Sequence, residues 1–95
     1  MAHWAHKLKI KDLIDHEAED NSAHALQVAP IASARIEAFM KTCRRLDEDA
    51  KEDLENASWL FEEVAKVAEN ERVEAFDEAL SALYDAGDSH RIWIA

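Results

Sequence analysis

Hydrophobic residues recur every three to four positions from residue 31 onward, which is the spacing of an amphipathic α-helix. The first such segment follows Pro30, a residue type that favours the first turn of a helix. Its charged side chains, Glu37, Lys41, Arg44 and Arg45, fall on the opposite side. The apolar side, which we expect to be buried, consists of Ile36, Phe39, Met40, Cys43 and Leu46.

The pattern predicts two further helices. Asp49, with Glu52 three residues later, matches a variant of the capping box that opens a helix. Asn70 is a residue type that breaks and caps helices, and Gly87 stands where a left-handed C-cap is expected. The buried stripe of the second helix is predicted to be Leu54, Ala57, Phe61, Val64, Ala65 and Ala68. That of the third is predicted to be Val73, Phe76, Leu80 and Leu83.

One phenylalanine from each predicted helix is expected to meet the other two in a single core. These residues are Phe39, Phe61 and Phe76. Residues 12–29 are ambiguous: an acidic stretch is followed by a turn or cap signal at Asn21 and Ser22, and residues 23–29 could form a short helix.

The two ends of the chain follow a different pattern. Residues 3–10 alternate between apolar and polar positions, as in a half-buried strand, and residues 91–95 are β-branched and aromatic. Because two isolated strands are marginal in water, we expect the ends to pair and to lie against the helices. The predicted fold class is mainly α (α+β). It is one compact three-helix domain over residues 1–95, with a small two-stranded β-ribbon formed by the N- and C-terminal segments.

Both ends also resemble small proteins encoded in phage and prophage genomes. The similar segments are HKLKIKDLI, residues 6–14, and LYDAGDSHRIWIA, residues 83–95. Several of those proteins open with a basic strand of this kind and close with a tail that ends in Ile-Trp-Ile. The resemblance covers about a quarter of the chain. It implies an accessory protein in a bacterial cytoplasm and assigns no activity and no site.

Composition narrows the class of protein further. The single glycine and single proline disfavour a loop-rich β-sandwich and favour long helices. The sequence has no apolar run of signal-peptide or membrane-spanning length, so we expect a cytoplasmic protein. The lone cysteine, Cys43, cannot form an internal disulfide, which fits a reducing compartment, and its place on the apolar side predicts a buried, unreactive thiol.

Motifs that carry catalysis are missing from the sequence. It contains no glycine-rich phosphate loop and no HExxH, CxxC or GxSxG motif. His3 and His6 would point to opposite faces of a strand, which is poor geometry for sharing a metal ion. We therefore expect no enzymatic activity, no cofactor and no metal site.

The strongest feature is the uneven distribution of charge. The formal net charge is −10, and residues 47–88 hold fifteen Asp and Glu against three Lys and Arg. Such a surface repels nucleic acid and acidic membranes and attracts basic partners. A run of acidic residues usually serves only solubility. Carboxylates on one side of a helix, however, are spaced similarly to the phosphates along one DNA strand.

Trp59 is a second anomaly, because it projects among glutamates and away from the apolar stripe of its helix. It is either covered by another part of the chain, such as residues 12–29, or kept for a partner. Tryptophan with a polar rim is typical of binding hot spots. The predicted partner-binding residues are Trp59, Glu48, Glu52, Glu55, Glu62, Glu63, Glu71, Glu74 and Glu78.

Two functions are consistent with these features. The first is a non-enzymatic acidic protein that occupies a basic surface of another macromolecule. In a phage context it would be an inhibitor of a nucleic-acid-binding protein that imitates nucleic-acid charge. The alternative is a small structural or assembly protein, a homodimer, whose acidic surface serves only solubility. Salt separates the two, since electrostatic mimicry weakens with ionic strength and an apolar dimer does not.

Overall fold

In a computed structural model, residues 6–8, 22–43 and 46–93 are described. Within them three helices follow one another: α1 (Ser22–Thr42), α2 (Glu48–Glu63) and α3 (Arg72–His90). A 3-10 turn at Glu69–Glu71 leads into α3. Helix α2 packs extensively against both α1 and α3, and α1 and α3 also touch. The predicted three-helix domain is confirmed.

The core lies where the three helices meet. Its largest fully buried apolar side chains come from all three helices and from the residues that follow α2 and α3. They are Phe61, Phe76, Ile36, Leu54, Leu83, Ile92 and Val64. Small residues fill the space between them, with buried alanines on every helix. Alanine allows helix axes to approach closely, which suits a domain with few large apolar side chains.

Helix α1 differs from its prediction at Pro30. The sequence indicated a short helix before Pro30 and a second helix starting there, but α1 runs through it without a break. Proline has no backbone N–H, so the carbonyl of Leu26 cannot receive the usual hydrogen bond from position 30. Buried contacts on both sides of the proline, at Ala25, Val28, Ala29 and Ala32, favour the continuous helix.

The N-cap of helix α2 lies two residues earlier than predicted. Asp47 is the N-cap, with an extended backbone, and its carboxylate accepts a hydrogen bond from the backbone N–H of Ala50 at 2.8 Å. Glu48 and Asp49 occupy the first turn, where their negative charges interact favourably with the positive end of the helix dipole. The capping box predicted at Asp49 and Glu52 is therefore wrong.

The same helix also ends earlier than expected. It stops at Glu63, and Asn70 lies in the 3-10 turn that precedes α3. The predicted stripe is correct up to Val64, but Ala65 and Ala68 are exposed. Alanine buries too little apolar surface to hold further helical turns against the core. Because the high helix propensity of alanine does not replace this packing, α2 ends at Glu63.

The end of α3 corrects the prediction for Gly87. This residue lies inside the helix, has no positive φ and is buried. The left-handed cap is Arg91, at φ 56 and ψ 45, and its N–H donates to the carbonyl of Gly87. A non-glycine residue in this conformation costs about 1–2 kcal/mol. The turn directs the chain so that Ile92, only 1% exposed, enters the core.

The two ends of the described chain meet in a short parallel bridge. Strand β1 (His6–Lys7) pairs with β2 (Ile92–Trp93), with His6 opposite Ile92 and Lys7 opposite Trp93. Two residues on each side do not make a ribbon. Most of the predicted strand over residues 3–10, together with residues 94 and 95, lies outside the described residues. The longer ribbon remains a prediction.

Two of the three phenylalanines meet as predicted. The rings of Phe61 and Phe76 are both buried and contact each other edge to face, with centroids 5.6 Å apart. Phe39 is only partly buried and packs against the outside of this cluster. Cys43, expected to be buried, is half-exposed just beyond the end of α1. The C-terminal part of α1 is thus less covered than its periodicity indicates.

We expect Ile92→Ala to lower the free energy of unfolding by about 2–5 kcal/mol, the usual range for truncating a buried isoleucine. The matched control is Ile31→Ala on α1, where the side chain is 49% exposed. The same truncation there should change stability by no more than about 0.5 kcal/mol. Urea unfolding of both variants measures the difference. Equal effects would contradict the burial of the segment after α3.

Candidate protein-binding face

The predicted partner-binding residues of α2 form one continuous stripe along the helix. From Glu48 to Glu62 they follow each other at steps of three and four residues, and Glu63 lies four residues after Trp59. Each therefore has a surface neighbour about 5–6 Å away between Cβ atoms. We call this stripe the Trp59 face. It consists of Glu48, Glu52, Glu55, Trp59, Glu62 and Glu63.

Trp59 stands near the middle of this face and is 53% exposed. Glu55 lies one turn before it, and Glu62 and Glu63 lie one turn after it. All the glutamates of the face are exposed except Glu63, which is half-buried. The indole is therefore available to solvent and is bordered by carboxylates on both sides along the helix axis.

A buried polar cluster beneath this face joins α2 to α1. The hydroxyl oxygens of Ser33 and Ser58 are 2.8 Å apart, and Ser58 is only 1% exposed. Ser58 also lies 3.0 Å from a carboxylate oxygen of Glu37, and Ser33 lies 3.3 Å from one of Glu62. In one consistent arrangement, Ser33 donates to Ser58 and Ser58 donates to Glu37, so both hydroxyl hydrogens are used.

This cluster fixes the position of the Trp59 face relative to α1. Hydrogen bonds to charged groups contribute about 1.5–3 kcal/mol each, more than bonds between neutral groups. Because both hydroxyls are buried, neither is accessible as a nucleophile, and the arrangement serves helix packing. Glu62 lies close to α1, 3.3 Å from the Ser33 hydroxyl, whereas Glu55, the other carboxylate beside Trp59, makes no hydrogen bond to the described side chains of α1.

Sequence reasoning missed the serine cluster, although a signal for it exists. Ser58 lies four residues after Leu54 and three before Phe61, on the apolar stripe of α2. Ser33 holds the same relation to Ala29 and Ile36 on α1. A hydroxyl on each of two apolar stripes predicts a buried hydrogen bond if the helices pack side by side. The pairing itself depends on the packing register, which periodicity does not give.

A second contact shows where α3 lies around α2. The His90 Nε2 atom, at the end of α3, is 2.7 Å from a carboxylate oxygen of Asp53 on α2. Asp53 projects from the flank of α2 opposite the one that carries Ser58 and Glu62. Helix α1 therefore lies along one flank and α3 along the other, and the Trp59 face looks outward on the side nearer α1.

The remaining predicted residues belong to another surface. Glu74 and Glu78 are exposed on α3, opposite its buried residues, and Glu71 is exposed in the turn before it. We call this group the α3 acidic face. Since α3 packs on the Asp53 flank of α2, the two acidic faces point away from the bundle on different sides. The structure thus divides the nine predicted residues into two groups.

The Trp59 face is largely unneutralised. Lys66 lies 3.3 Å from a carboxylate oxygen of Glu63 in an exposed ion pair. Within the described ranges, Glu48, Glu52 and Glu55 take part in no ion pair. Neighbouring like charges on a helix destabilise it by a few tenths of a kcal/mol per pair. The face therefore carries a small cost in the isolated protein, which a cationic partner would remove.

The same part of the chain carries neither a metal cluster nor a membrane-spanning helix. No group of three or more His, Cys, Asp or Glu side chains among the described residues could hold a metal ion. None of the helices described there combines the length and apolar character needed to span a membrane.

Comparison with known proteins adds no assignment to these observations. No protein-family model matches the chain, and neither the curated proteins nor the solved structures contain a match to it.

Proposed function

We propose that this protein is a non-enzymatic acidic binding protein that occupies a basic surface of another macromolecule. The observation that carries the proposal is Trp59, more than half exposed in the middle of a stripe of glutamates on α2. An exposed tryptophan adds hydrophobic area to a face whose charge already ensures solubility. A role in solubility does not explain an exposed tryptophan at this position. A role as a binding hot spot, with the glutamates as its polar rim, does explain it.

The charge of the protein favours a cationic partner. Fifteen of its acidic residues lie in residues 47–88, and the Trp59 face and the α3 acidic face both belong to that segment. Carboxylates along α2 repeat at about 5–6 Å, a spacing that a groove built for phosphates can accept. A nucleic-acid-binding protein is therefore the partner we propose. Direct binding to nucleic acid is disfavoured by like charge.

The biological setting we propose is the bacterial cytoplasm. This setting rests on the resemblance of the chain ends to small phage and prophage proteins. In that setting the acidic face would compete with nucleic acid for a basic site and so inhibit its owner. No residue of the protein needs to perform chemistry for this role.

The alternative is a homodimer whose acidic surface serves only solubility. Ile31 on α1 and Tyr84 on α3 are exposed apolar residues that a dimer could cover. A stable dimer interface needs a contiguous apolar patch, however, and two exposed apolar residues on different helices do not by themselves make one. The glutamates around Trp59 also disfavour pairing of two copies through that face, because a two-fold interface would bring identical acids together.

The experiment that tests the proposal is capture from a nuclease-treated bacterial lysate on the immobilised protein. We expect basic nucleic-acid-binding proteins to be retained at about 50 mM salt and released by about 500 mM, because screening shortens the reach of charge. Duplex DNA added at low salt should release the same proteins by competing for their basic surface. Retention that resists both salt and DNA would contradict the proposal.

A further inference from the structure

The Trp59 face offers a more specific ligand site than a uniform acidic surface would. A cation that approaches Trp59 meets the face of an indole, which attracts positive charge through its ring quadrupole. One turn away on either side it also meets a carboxylate, at Glu55 or Glu62. We propose that this face docks an arginine-bearing segment of the partner, with one guanidinium stacked on Trp59. This inference rests on the proposed function and specifies the chemistry of its partner.

Arginine fits this arrangement better than lysine does. Its planar guanidinium can lie on an aromatic ring while the N–H groups at its edge bond a carboxylate in the same plane. The ammonium of lysine is compact and strongly hydrated, so it gains less from the ring. Glu55 is the carboxylate best placed to accept these bonds, since Glu62 lies within hydrogen-bond distance of Ser33 and Glu63 is paired with Lys66.

The site is held in place by the packing beneath it. Ser58, the residue before Trp59, is fixed against Ser33 by the buried hydroxyl pair. The backbone that carries the indole is thereby fixed relative to α1. A rigid site loses little freedom when it binds, which favours affinity. From Glu48 to Glu62 the face is about 21 Å long at 1.5 Å per residue, enough to meet about four helical turns of a partner.

The charge of the α3 acidic face is similar, but its chemistry is different. Glu71, Glu74 and Glu78 have no exposed tryptophan among them. That face should attract arginine and lysine equally. The two faces therefore provide an internal comparison, because both are acidic but, among the described residues, only the Trp59 face carries a tryptophan. Tyr84, the exposed aromatic residue of α3, is not part of the α3 acidic face.

The test uses the full-length protein with two probes of equal charge, nona-arginine and nona-lysine, at low salt. NMR follows the indole N–H of Trp59, assigned by its loss in Trp59→Phe. We expect nona-arginine to bind at least several-fold more tightly than nona-lysine and to shift this signal. Trp59→Ala should abolish the preference and leave the affinity for nona-lysine within about twofold, since lysine uses the charge alone. The melting temperature of this variant shows that it is folded.

The control is a triple variant on the other surface, Glu71→Lys, Glu74→Lys and Glu78→Lys, which should keep the preference for arginine. Equal affinities for the two peptides would overturn the arginine site while leaving a charge-based function intact. Failure of both peptides to bind would overturn the proposed function as well. Shifts of the Trp59 signal with protein concentration, without peptide, would show that a second copy covers the indole and would also overturn the inference.

Discussion

Phe61→Ala is expected to lower the free energy of unfolding by about 3–5 kcal/mol, the usual cost of removing a buried phenylalanine. The side chain is fully buried on α2, and its ring contacts Phe76 of α3 edge to face at 5.6 Å between centroids. Its removal leaves a cavity where the helices meet and also deletes an aromatic contact worth about 0.5–1.5 kcal/mol. Small domains have about 5–15 kcal/mol in total, so much of the stability should be lost.

The matched control for this prediction is Phe39→Ala. Phe39 packs against the outside of the core and is only partly buried, so the same truncation should cost about 1–2 kcal/mol. Chemical unfolding compares the variants. Should Phe61→Ala fail to fold, Phe61→Leu preserves most of the volume and is expected to cost about 1–2 kcal/mol. A larger loss at Phe39 than at Phe61 would contradict the described core.

Hydrophobic spacing predicted the helices well wherever large apolar residues repeat. The stripe Leu54, Ala57, Phe61 and Val64 is buried as expected. The same spacing failed at Ala65 and Ala68, because small side chains contribute little burial and the chain turns instead. Periodicity thus identifies a buried face, while the length of a helix depends on how much area each further turn buries.

Helix ends were predicted less well, because several residues in a row could serve as the cap. Asp47, Glu48 and Asp49 are consecutive acids, and only the one with an extended backbone can receive the N–H of Ala50. At the other end of the domain, Gly87 is the obvious C-cap residue. The left-handed turn falls at Arg91 instead, since Ile92 can then be buried. Tertiary packing overrides local preference in both cases.

Some features of the candidate site could be predicted from a single helix, and others depend on how the helices pack. The stripe of glutamates around Trp59 follows from the helical projection of α2, which needs only one helix. That projection does not decide whether another segment covers the indole, and the structure shows it 53% exposed. The separation of the α3 acids from this stripe depends on which flank of α2 each helix occupies. Two contacts between distant parts of the chain decide that, Ser33 with Ser58 and Asp53 with His90. Periodicity along a single sequence does not reveal such pairs.

Charge reversal on the Trp59 face should have a large effect on binding. Changing Glu48, Glu52 and Glu55 to lysine alters the charge by two at each position, which moves the net charge from −10 to −4. Since exposed charges steer association, we expect the association rate with a captured basic partner to fall about 10- to 100-fold at low salt. Lysine at position 48 opposes the helix dipole, but relief of repulsion between the acids compensates, so the melting temperature should change little.

Trp59→Ala should act on a different step. Truncation of a hot-spot residue removes contacts made only in the complex, so the dissociation rate should rise while the association rate stays nearly constant. Loss of thermal stability in this variant with unaltered binding would show that the indole serves the fold. That outcome would favour the homodimer alternative, in which the acidic surface has no partner.

The most direct test of the account is the association rate of the captured partner as a function of ionic strength. Three proteins are compared: the natural sequence, the Glu48, Glu52 and Glu55 reversal, and the matched reversal of Glu71, Glu74 and Glu78. Both reversals give the same net charge. We predict a steep fall with salt for the natural protein, a slow and almost salt-independent rate for the α2 reversal, and a smaller change for the α3 reversal. Identical rates and salt dependence for all three would contradict the central claim that the Trp59 face meets a basic partner.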